Sequence, residues 1–169
     1  MKFRILIVAA ALAAVLSSCK SQYEMLLNSN DADLKYQAAF EYFNAGKYSK
    51  AGSLFESLSV LTNGTQRDDT VRFYWGLSNY KFKDYYTAET NFANFLETYP
   101  RSPFSSEARY LRLDCLYRST LRGELDQNPT YKAMTEISEY MIDFPNTPHM
   151  QACRDMLKEL NDRLDKKAY

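Results

Sequence analysis

Side chains able to carry out catalysis are sparse in this chain of 169 residues and do not have catalytic spacing. His149 is the only histidine, and no serine sits in the nucleophile elbow that a Ser-His-Asp mechanism requires. No cysteine or carboxylate stands at metal-ligand spacing from His149, so we expect this side chain to lie on the surface. No glycine-rich loop is spaced to hold a phosphate, and the carboxylates are scattered over solvated helix positions. The sequence therefore argues against an enzyme, a metal site or a bound cofactor.

The N-terminus has the plan of a secretory signal that ends at a cysteine. Two basic residues precede an apolar run over residues 5–16, which is typical of a signal peptide and short for a membrane span. The sequence Leu-Ser-Ser-Cys ending at Cys19 resembles the bacterial lipobox, which implies cleavage before Cys19 and lipid attachment to it. The alternative is an ordinary signal peptide followed by an unrelated cysteine. We expect a signal peptide over 1–18 and an acylated tether over 19–30.

One aromatic-rich stretch recurs along the chain and sets its organisation. Within residues 85–100, Ala88, Phe92, Phe95 and Tyr99 have the spacing of one helical face. Matching residues stand 37 positions upstream and 45 positions downstream. The upstream set is Tyr48, Ala51 and Phe55, and the downstream set is Ala133, Tyr140, Phe144 and Pro145. A repeat of this length predicts an α-solenoid, which is more typical of a scaffold or binding protein than of an enzyme.

The composition agrees with an all-α fold and gives no sign of nucleic-acid binding. Only 5 Gly and 5 Pro occur, which suits long helices joined by short connections. The formal net charge is zero, so we expect no basic surface for nucleic acid. Beyond the N-terminal segment, no stretch of the sequence is a candidate membrane-spanning helix.

Small and aromatic residues follow the tetratricopeptide pattern, in which a small residue of helix A precedes an alanine and an aromatic of helix B. Ala39 leads to Ala51 and Phe55 in the first unit, and the second unit repeats this spacing from Gly76 to Phe92. The departures from the pattern are Asn63, Asn79 and Ile137. We predict an all-α solenoid of about three tetratricopeptide-type helix pairs and a further helix. Its units are 32–64, 65–101 and 102–146, with the further helix at 147–169.

Capping signals predict where several helices begin. A capping box covers residues 65–68, and a cap residue followed by proline occurs at 102–103 and again at 147–148. An insertion at about 123–130 lengthens the third unit, so its second helix is predicted over 131–144. The last helix carries an apolar stripe made of Cys153, Met156, Leu157, Leu160 and Leu164. No later helix within this chain follows the stripe, so the array is predicted to be open at that end.

Two further cysteines need an account, because an exported protein meets an oxidising compartment. Counted from the equivalent prolines Pro100 and Pro145, Cys115 stands seven residues further along its helix than Cys153. In stacked helices this offset is about 10 Å along the axis, which exceeds the reach of a disulfide. We predict two buried free thiols.

Aromatic and apolar residues at matching positions of the first two A helices are candidates for a peptide or partner groove. They are Tyr36, Phe40, Phe43, Phe73, Leu77 and Tyr80. Helix A lines the concave surface in tetratricopeptide folds, and flat aromatic side chains offer contact area at low entropic cost. The alternative is that these side chains only pack between helices.

Several segments together carry a resemblance to a known family. They are Cys19, Tyr-Glu-Met-Leu-Leu at 23–27, Gly-Lys-Tyr-x-x-Ala at 46–51, Tyr-Pro-x-Ser-Pro at 99–103, Asp-Gln-x-x-Thr-Tyr-Lys-Ala at 126–133 and Phe-Pro-Asn-Thr at 144–147. These segments resemble the BamD family, also called the YfiO-type outer-membrane assembly lipoproteins. The resemblance covers 19–169 and includes the insertion in the third unit. Relatives usually carry more repeats than the three units and one helix predicted here.

The resemblance implies a non-enzymatic subunit of the β-barrel assembly complex, anchored by lipid on the periplasmic face of the outer membrane. It implies binding to the periplasmic domains of a BamA-like barrel subunit and to unfolded outer-membrane proteins. No acidic run follows Cys19 to suggest export to the cell surface. The alternatives are another helical-repeat periplasmic lipoprotein adaptor, or a glycan-binding lipoprotein that uses surface aromatics.

Overall fold

A computed structural model describes residues 22–120 and 126–167, and every regular element within these ranges is an α-helix. Helix α1 covers residues 22–28. The others are α2 (Ala32–Asn44), α3 (Tyr48–Leu61), α4 (Asp68–Lys81), α5 (Tyr85–Thr98), α6 (Ser105–Thr120), α7 (Asn128–Asp143) and α8 (Met150–Lys167). The predicted all-α fold is confirmed. The predicted signal peptide and Cys19 lie outside the described residues.

Successive helices pack against each other from α2 to α8, and α4 also contacts α6. The array therefore consists of the helix pairs α2/α3, α4/α5 and α6/α7, followed by α8. Gly46, with φ 71°, and Lys83, with φ 68°, stand 37 positions apart and make the same left-handed turn between the helices of a pair. Glycine adopts this conformation readily, whereas lysine does so at a cost in free energy.

The core is divided into three clusters that follow the repeat. Small side chains at the helix crossings are fully buried, as Ala39, Ala51, Ala88, Ala108 and Ala133 show. They let the helices approach closely, while phenylalanines fill the space between them. The first cluster is built around Phe55 and the second around Phe92 and Phe95. In the third cluster Ile137 takes the place that Phe92 has in the second cluster, as the sequence indicated.

Helix α1 is docked on the first pair, so the prediction of a tether is wrong for residues 22–28. The Tyr23 hydroxyl donates a hydrogen bond to the Lys50 carbonyl oxygen at 3.2 Å. Lys35 is only 2% exposed, and its ammonium donates to the Leu27 carbonyl oxygen at 2.9 Å and to Ser57 Oγ at 2.7 Å. Burial lowers the pKa of Lys35. The Lys35 side chain thus joins the C-terminal end of α1 to α2 and α3.

Several helices begin at residues other than those predicted. Helix α4 begins at Asp68, and no capping box forms, because the Asp68 carboxylate is buried in a different network. Helices α6 and α8 begin two residues after their predicted prolines, and α7 begins at Asn128 rather than at residue 131. Ser102 Oγ accepts a hydrogen bond from the Phe104 amide, so it caps the turn that precedes α6.

The apolar stripe of α8 is covered, so the prediction of an open C-terminal end is wrong for the described residues. Cys153, Met156 and Leu160 are buried in the third core cluster with residues of α6 and α7, and Leu157 packs against this cluster. The solvent-facing side of α8 is polar. Over residues 150–165 its exposed residues are Gln151, Arg154, Asp155, Lys158, Glu159, Asn161, Asp162 and Asp165. The preceding helices therefore cover the stripe over residues 153–160.

The two described cysteines match their prediction, and the histidine is partly exposed and packed against neighbouring side chains. Cys115 and Cys153 are free and buried, and burial raises the pKa of each thiol. His149, which we expected on the surface, is partly exposed, with 23% of its side chain open to solvent. Its ring stacks on Tyr110 with centroids 3.7 Å apart, and Nε2 lies 3.3 Å from a Glu107 carboxylate oxygen.

Candidate binding face of the A helices

Phe73 was one of the six predicted groove residues, and its side chain belongs to the core. It is 4% exposed and stacks on Phe104 with centroids 4.6 Å apart and ring planes 12° apart. Phe92 and Phe95 flank it at 6.0 Å and 5.9 Å between centroids. The prediction that Phe73 lines a groove is therefore wrong.

The three candidates of α2 are half-buried and take part in aromatic packing between helices. Phe40 has its ring centroid 5.1 Å from that of Phe55 and 4.7 Å from that of Tyr74. Phe43 packs on the same Tyr74 ring at 5.2 Å, and Tyr36 packs on Phe40 at 4.8 Å. These contacts agree with the alternative of inter-helix packing, although each side chain keeps part of its surface open to solvent.

The two remaining candidates belong to α4 and differ in character. Leu77 is partly buried against the second core cluster. The Tyr80 hydroxyl donates a hydrogen bond of 2.5 Å to Asp114 Oδ2, and this carboxylate also accepts a hydrogen bond from Arg118 Nε. The Arg118 guanidinium carbon lies 5.9 Å from the centroid of the Tyr80 ring. Tyrosine, carboxylate and arginine therefore form a compact triad between α4 and α6.

The same triad occurs between α6 and α8. The Tyr117 hydroxyl donates to a Glu159 carboxylate oxygen, and Arg163 forms a salt bridge with Glu159 one helical turn away. The Arg163 guanidinium carbon lies 5.3 Å from the Tyr117 ring centroid. The tyrosines are 37 positions apart, and the carboxylates and arginines are each 45 positions apart, so the triad follows the repeat.

A third, related triad joins α4 to the end of α5. The Tyr99 hydroxyl donates to Asp68 Oδ2, and Arg72 Nε donates to Asp68 Oδ1 at 3.0 Å. The Asp68 side chain is fully buried, so its charge depends on these donors and on Thr62 Oγ1, which lies 3.4 Å away. In each triad the acid and the arginine stand four residues apart on helix α4, α6 or α8.

The ionisation of these groups follows from burial and from their partners. Burial first, and then the hydrogen bond to a carboxylate, raise the pKa of Tyr80, Tyr99 and Tyr117. Donation by Tyr117 and Arg163 lowers the pKa of Glu159. The hydrogen bond to Asp114 raises the pKa of Arg118. At neutral pH Tyr80, Tyr99 and Tyr117 are therefore neutral hydrogen-bond donors.

We call the surface that carries the triads Tyr80–Asp114–Arg118 and Tyr117–Glu159–Arg163 the A-helix face. Sequence reasoning identified Tyr80 but missed its partners and the second triad. The available signal was the recurrence of acid-x-x-x-Arg in α6 and α8, at the same interval of 45 as the repeat.

Within residues 22–120 and 126–167 no group of His, Cys, Asp and Glu side chains is arranged to hold a metal ion. None of the helices described there is both long and apolar enough to cross a membrane. What the A-helix face offers is a set of hydrogen-bonding and charged groups beside half-buried aromatic rings.

Comparison with known proteins gives one family. The YfiO family, described as an outer membrane lipoprotein family, matches residues 28–169. The chain is also similar to the outer membrane protein assembly factor BamD of Caulobacter vibrioides, with 20% identity over 161 residues. The match covers 94% of this chain and 53% of the relative, so the chain spans about half the length of the curated protein. On its helical fold and this match over most of its length, the chain belongs to the YfiO, or BamD, family of outer membrane lipoproteins.

Proposed function

We propose that the protein is a non-enzymatic scaffold of the β-barrel assembly complex, held by lipid on the periplasmic face of the outer membrane. In this role it binds the periplasmic domains of a BamA-like barrel subunit and unfolded outer-membrane proteins before their insertion. The observation that carries the proposal is the family match over residues 28–169 of a helical-repeat array.

The architecture supports binding as the function. Helix-pair arrays offer extended surfaces, because each unit contacts only its neighbours and presents the same positions side by side. In this chain the A-helix face repeats Tyr80 and Arg118 as Tyr117 and Arg163. Such a surface suits an extended polypeptide, whose hydrogen-bonding groups and side chains also recur at regular intervals.

Co-purification tests the proposed assembly role. The full-length protein, tagged at its C-terminus, is isolated from envelopes solubilised in mild detergent, and its partners are identified by mass spectrometry. We expect an outer-membrane barrel subunit with periplasmic domains in near-stoichiometric amount, and lower levels of folded barrel proteins after depletion. An unrelated outer-membrane lipoprotein carrying the same tag is the control. Recovery without any barrel subunit, together with unchanged barrel-protein levels on depletion, would contradict the proposal.

The anchor is proposed from the sequence Leu-Ser-Ser-Cys ending at Cys19. Several acyl chains together hold a protein stably at a bilayer, whereas one chain alone holds it weakly. Cys19→Ala should abolish labelling by a fatty-acid probe and leave an uncut or soluble precursor. Cys153→Ala serves as the control, since that thiol is buried. Normal acyl labelling of Cys19→Ala would exclude this residue as the anchor.

A further inference from the structure

Arg118 differs from the other two triad arginines in how its terminal nitrogens are used. Its Nε donates to Asp114, but within residues 22–120 and 126–167 neither Nη1 nor Nη2 has a hydrogen-bond acceptor. We propose that these two nitrogens bind a carboxylate of the polypeptide held on the A-helix face. This inference rests on the proposed function and names the chemistry of its ligand.

The other two arginines have internal partners for their terminal nitrogens. Arg163 Nη1 lies 3.4 Å from Thr120 Oγ1, and its Nη2 lies 3.3 Å from the Tyr117 hydroxyl oxygen. Arg72 Nη2 donates to Asn63 Oδ1 at 3.2 Å. In these two triads the guanidinium makes a further contact within the chain, whereas the Arg118 terminal nitrogens make no such contact within residues 22–120 and 126–167.

The position of Arg118 is fixed while its outer edge stays accessible. Its guanidinium carbon lies 5.4 Å from the Tyr85 ring centroid and 5.9 Å from that of Tyr80. These two rings pack edge to face with centroids 5.8 Å apart. The Asp114 carboxylate is almost fully buried, whereas the Arg118 side chain is 38% exposed. Aromatic contacts and a buried carboxylate therefore preorganise the arginine, which reduces the entropy lost on binding.

A carboxylate is the ligand that fits this arrangement. Two parallel terminal N–H donors match the two oxygens of a carboxylate in a planar, bidentate contact. Lys81, the last residue of α4, and Lys83, in the turn that follows, are exposed and add positive charge near Tyr80 in the sequence. Asp84 at this turn accepts hydrogen bonds from Thr87, so its carboxylate is partly occupied as the N-cap of α5. The carboxylate can belong to an acidic side chain or to the C-terminus of the bound chain.

Binding of short labelled peptides to the full-length protein in detergent tests the inference. One peptide has the alternating apolar pattern of a barrel strand, one aspartate and a free C-terminus. A second replaces the aspartate by asparagine, a third has an amidated C-terminus, and a fourth carries both changes. We expect Arg118→Gln to weaken binding of the first peptide about tenfold, the effect of one charge-assisted hydrogen bond. Arg154→Gln, on the exposed outer side of α8 and outside both triads, should leave the affinity unchanged.

The peptide series identifies the source of the carboxylate. If an acidic side chain is bound, the asparagine peptide alone loses affinity for the unaltered protein and becomes insensitive to Arg118→Gln. If the chain terminus is bound, the amidated peptide behaves in this way. Arg118→Lys keeps a charge beside Asp114, so it provides a folded variant that lacks the planar pair of donors. Melting temperatures confirm that each variant is folded.

Two results would overturn the inference. The first is equal affinity of the unaltered protein for the first and fourth peptides. The second is an unchanged affinity of both Arg118 variants for the first peptide. If no peptide binds, the inference fails as well, while co-purification with a barrel subunit decides separately whether the assembly role stands.

Discussion

Gly76 and Phe92 meet across the crossing of α4 and α5 with no room for a side chain between them. A Cβ atom at Gly76 would lie 2.9 Å from Cε1 of the fully buried Phe92 ring. Gly76→Ala should lower the free energy of unfolding by about 1–3 kcal/mol, the usual cost of overpacking a core. Urea denaturation of the full-length protein in detergent measures this change.

Gly52→Ala is the matched control, because Gly52 is also a buried glycine within a helix. The atom nearest to a Cβ atom at Gly52 would be Asn79 Oδ1 at 3.2 Å, which is the end of a polar side chain and not part of a buried ring. A smaller loss than at Gly76 is expected, since that side chain can move and alanine favours helix formation. An equal loss of unfolding free energy at both positions would show that the close contact with Phe92 is not the reason why alanine destabilises position 76.

The covered stripe of α8 predicts that this helix is part of the cooperative core. Leu160→Ala removes a fully buried side chain from the third cluster, so it should cost about 2–5 kcal/mol of unfolding free energy. Lys158→Ala, on the exposed side of the same helix, should stay within about 0.5 kcal/mol of the unaltered protein. Hydrogen exchange should show amides of residues 156–160 as protected as those of α5. Rapid exchange of these amides alone would restore the open-end interpretation.

We expect helix α1 to open locally when the hydrogen bonds of Lys35 are removed. Lys35→Met keeps the apolar stem but removes both hydrogen bonds, so the Leu27 carbonyl loses its ammonium donor. Amides of residues 22–28 should exchange faster in this variant while those of α4 and α5 are unchanged. Lys158→Met is the control, because Lys158 is exposed on the outer side of α8. Unaltered exchange at 22–28 in Lys35→Met would show that Lys35 does not hold α1.

Alkaline pH should destabilise the protein through the half-buried tyrosines of its triads. The folded-state pKa of Tyr80, Tyr99 and Tyr117 lies above the unfolded value of about 10. The folded state therefore binds more protons, so the stabilisation is complete below pH 10 and is lost as pH rises through the folded-state pKa. Lys35 acts in the opposite direction, since its lowered pKa makes stability rise as its proton is lost.

A pH series of urea denaturation checks this prediction. The unfolding free energy should fall above about pH 10. Tyr80→Phe should show a shallower fall of the unfolding free energy than the unaltered protein. Tyr86→Phe changes an exposed side chain, so its fall should equal that of the unaltered protein. Identical alkaline slopes for Tyr80→Phe and the unaltered protein would contradict the assignment.

The repeat was predictable from the sequence because it depends on the spacing of small and aromatic residues along the chain. Small residues at Ala39 and Gly76 and aromatics at Phe55 and Phe92 set the helix crossings, and these positions are buried as expected. The register argument also predicted free thiols at Cys115 and Cys153. Such features depend on the period of the chain, so one sequence is enough to place them.

The triads and the docking of α1 depend on contacts between distant residues. Tyr80 and Asp114 are 34 positions apart, and Lys35 and Ser57 are 22 apart, so spacing along a single helix does not reveal either pair. The groove prediction failed at Phe73 for a related reason. Matching register placed Phe73 with Tyr36, but the Phe104 ring before α6 covers it. Apolar periodicity alone does not distinguish a packed face from an open one.

Site-specific photocrosslinking in living cells tests most directly whether this protein handles unfolded barrel proteins on its A-helix face. A photoreactive residue replaces exposed Lys81, which stands 37 positions before Arg118, or exposed Lys158 on the outer side of α8. The account predicts adducts with newly exported outer-membrane proteins at Lys81 and far fewer at Lys158. A correctly localised protein with no such adduct at Lys81, or with equal yields at both positions, would contradict it.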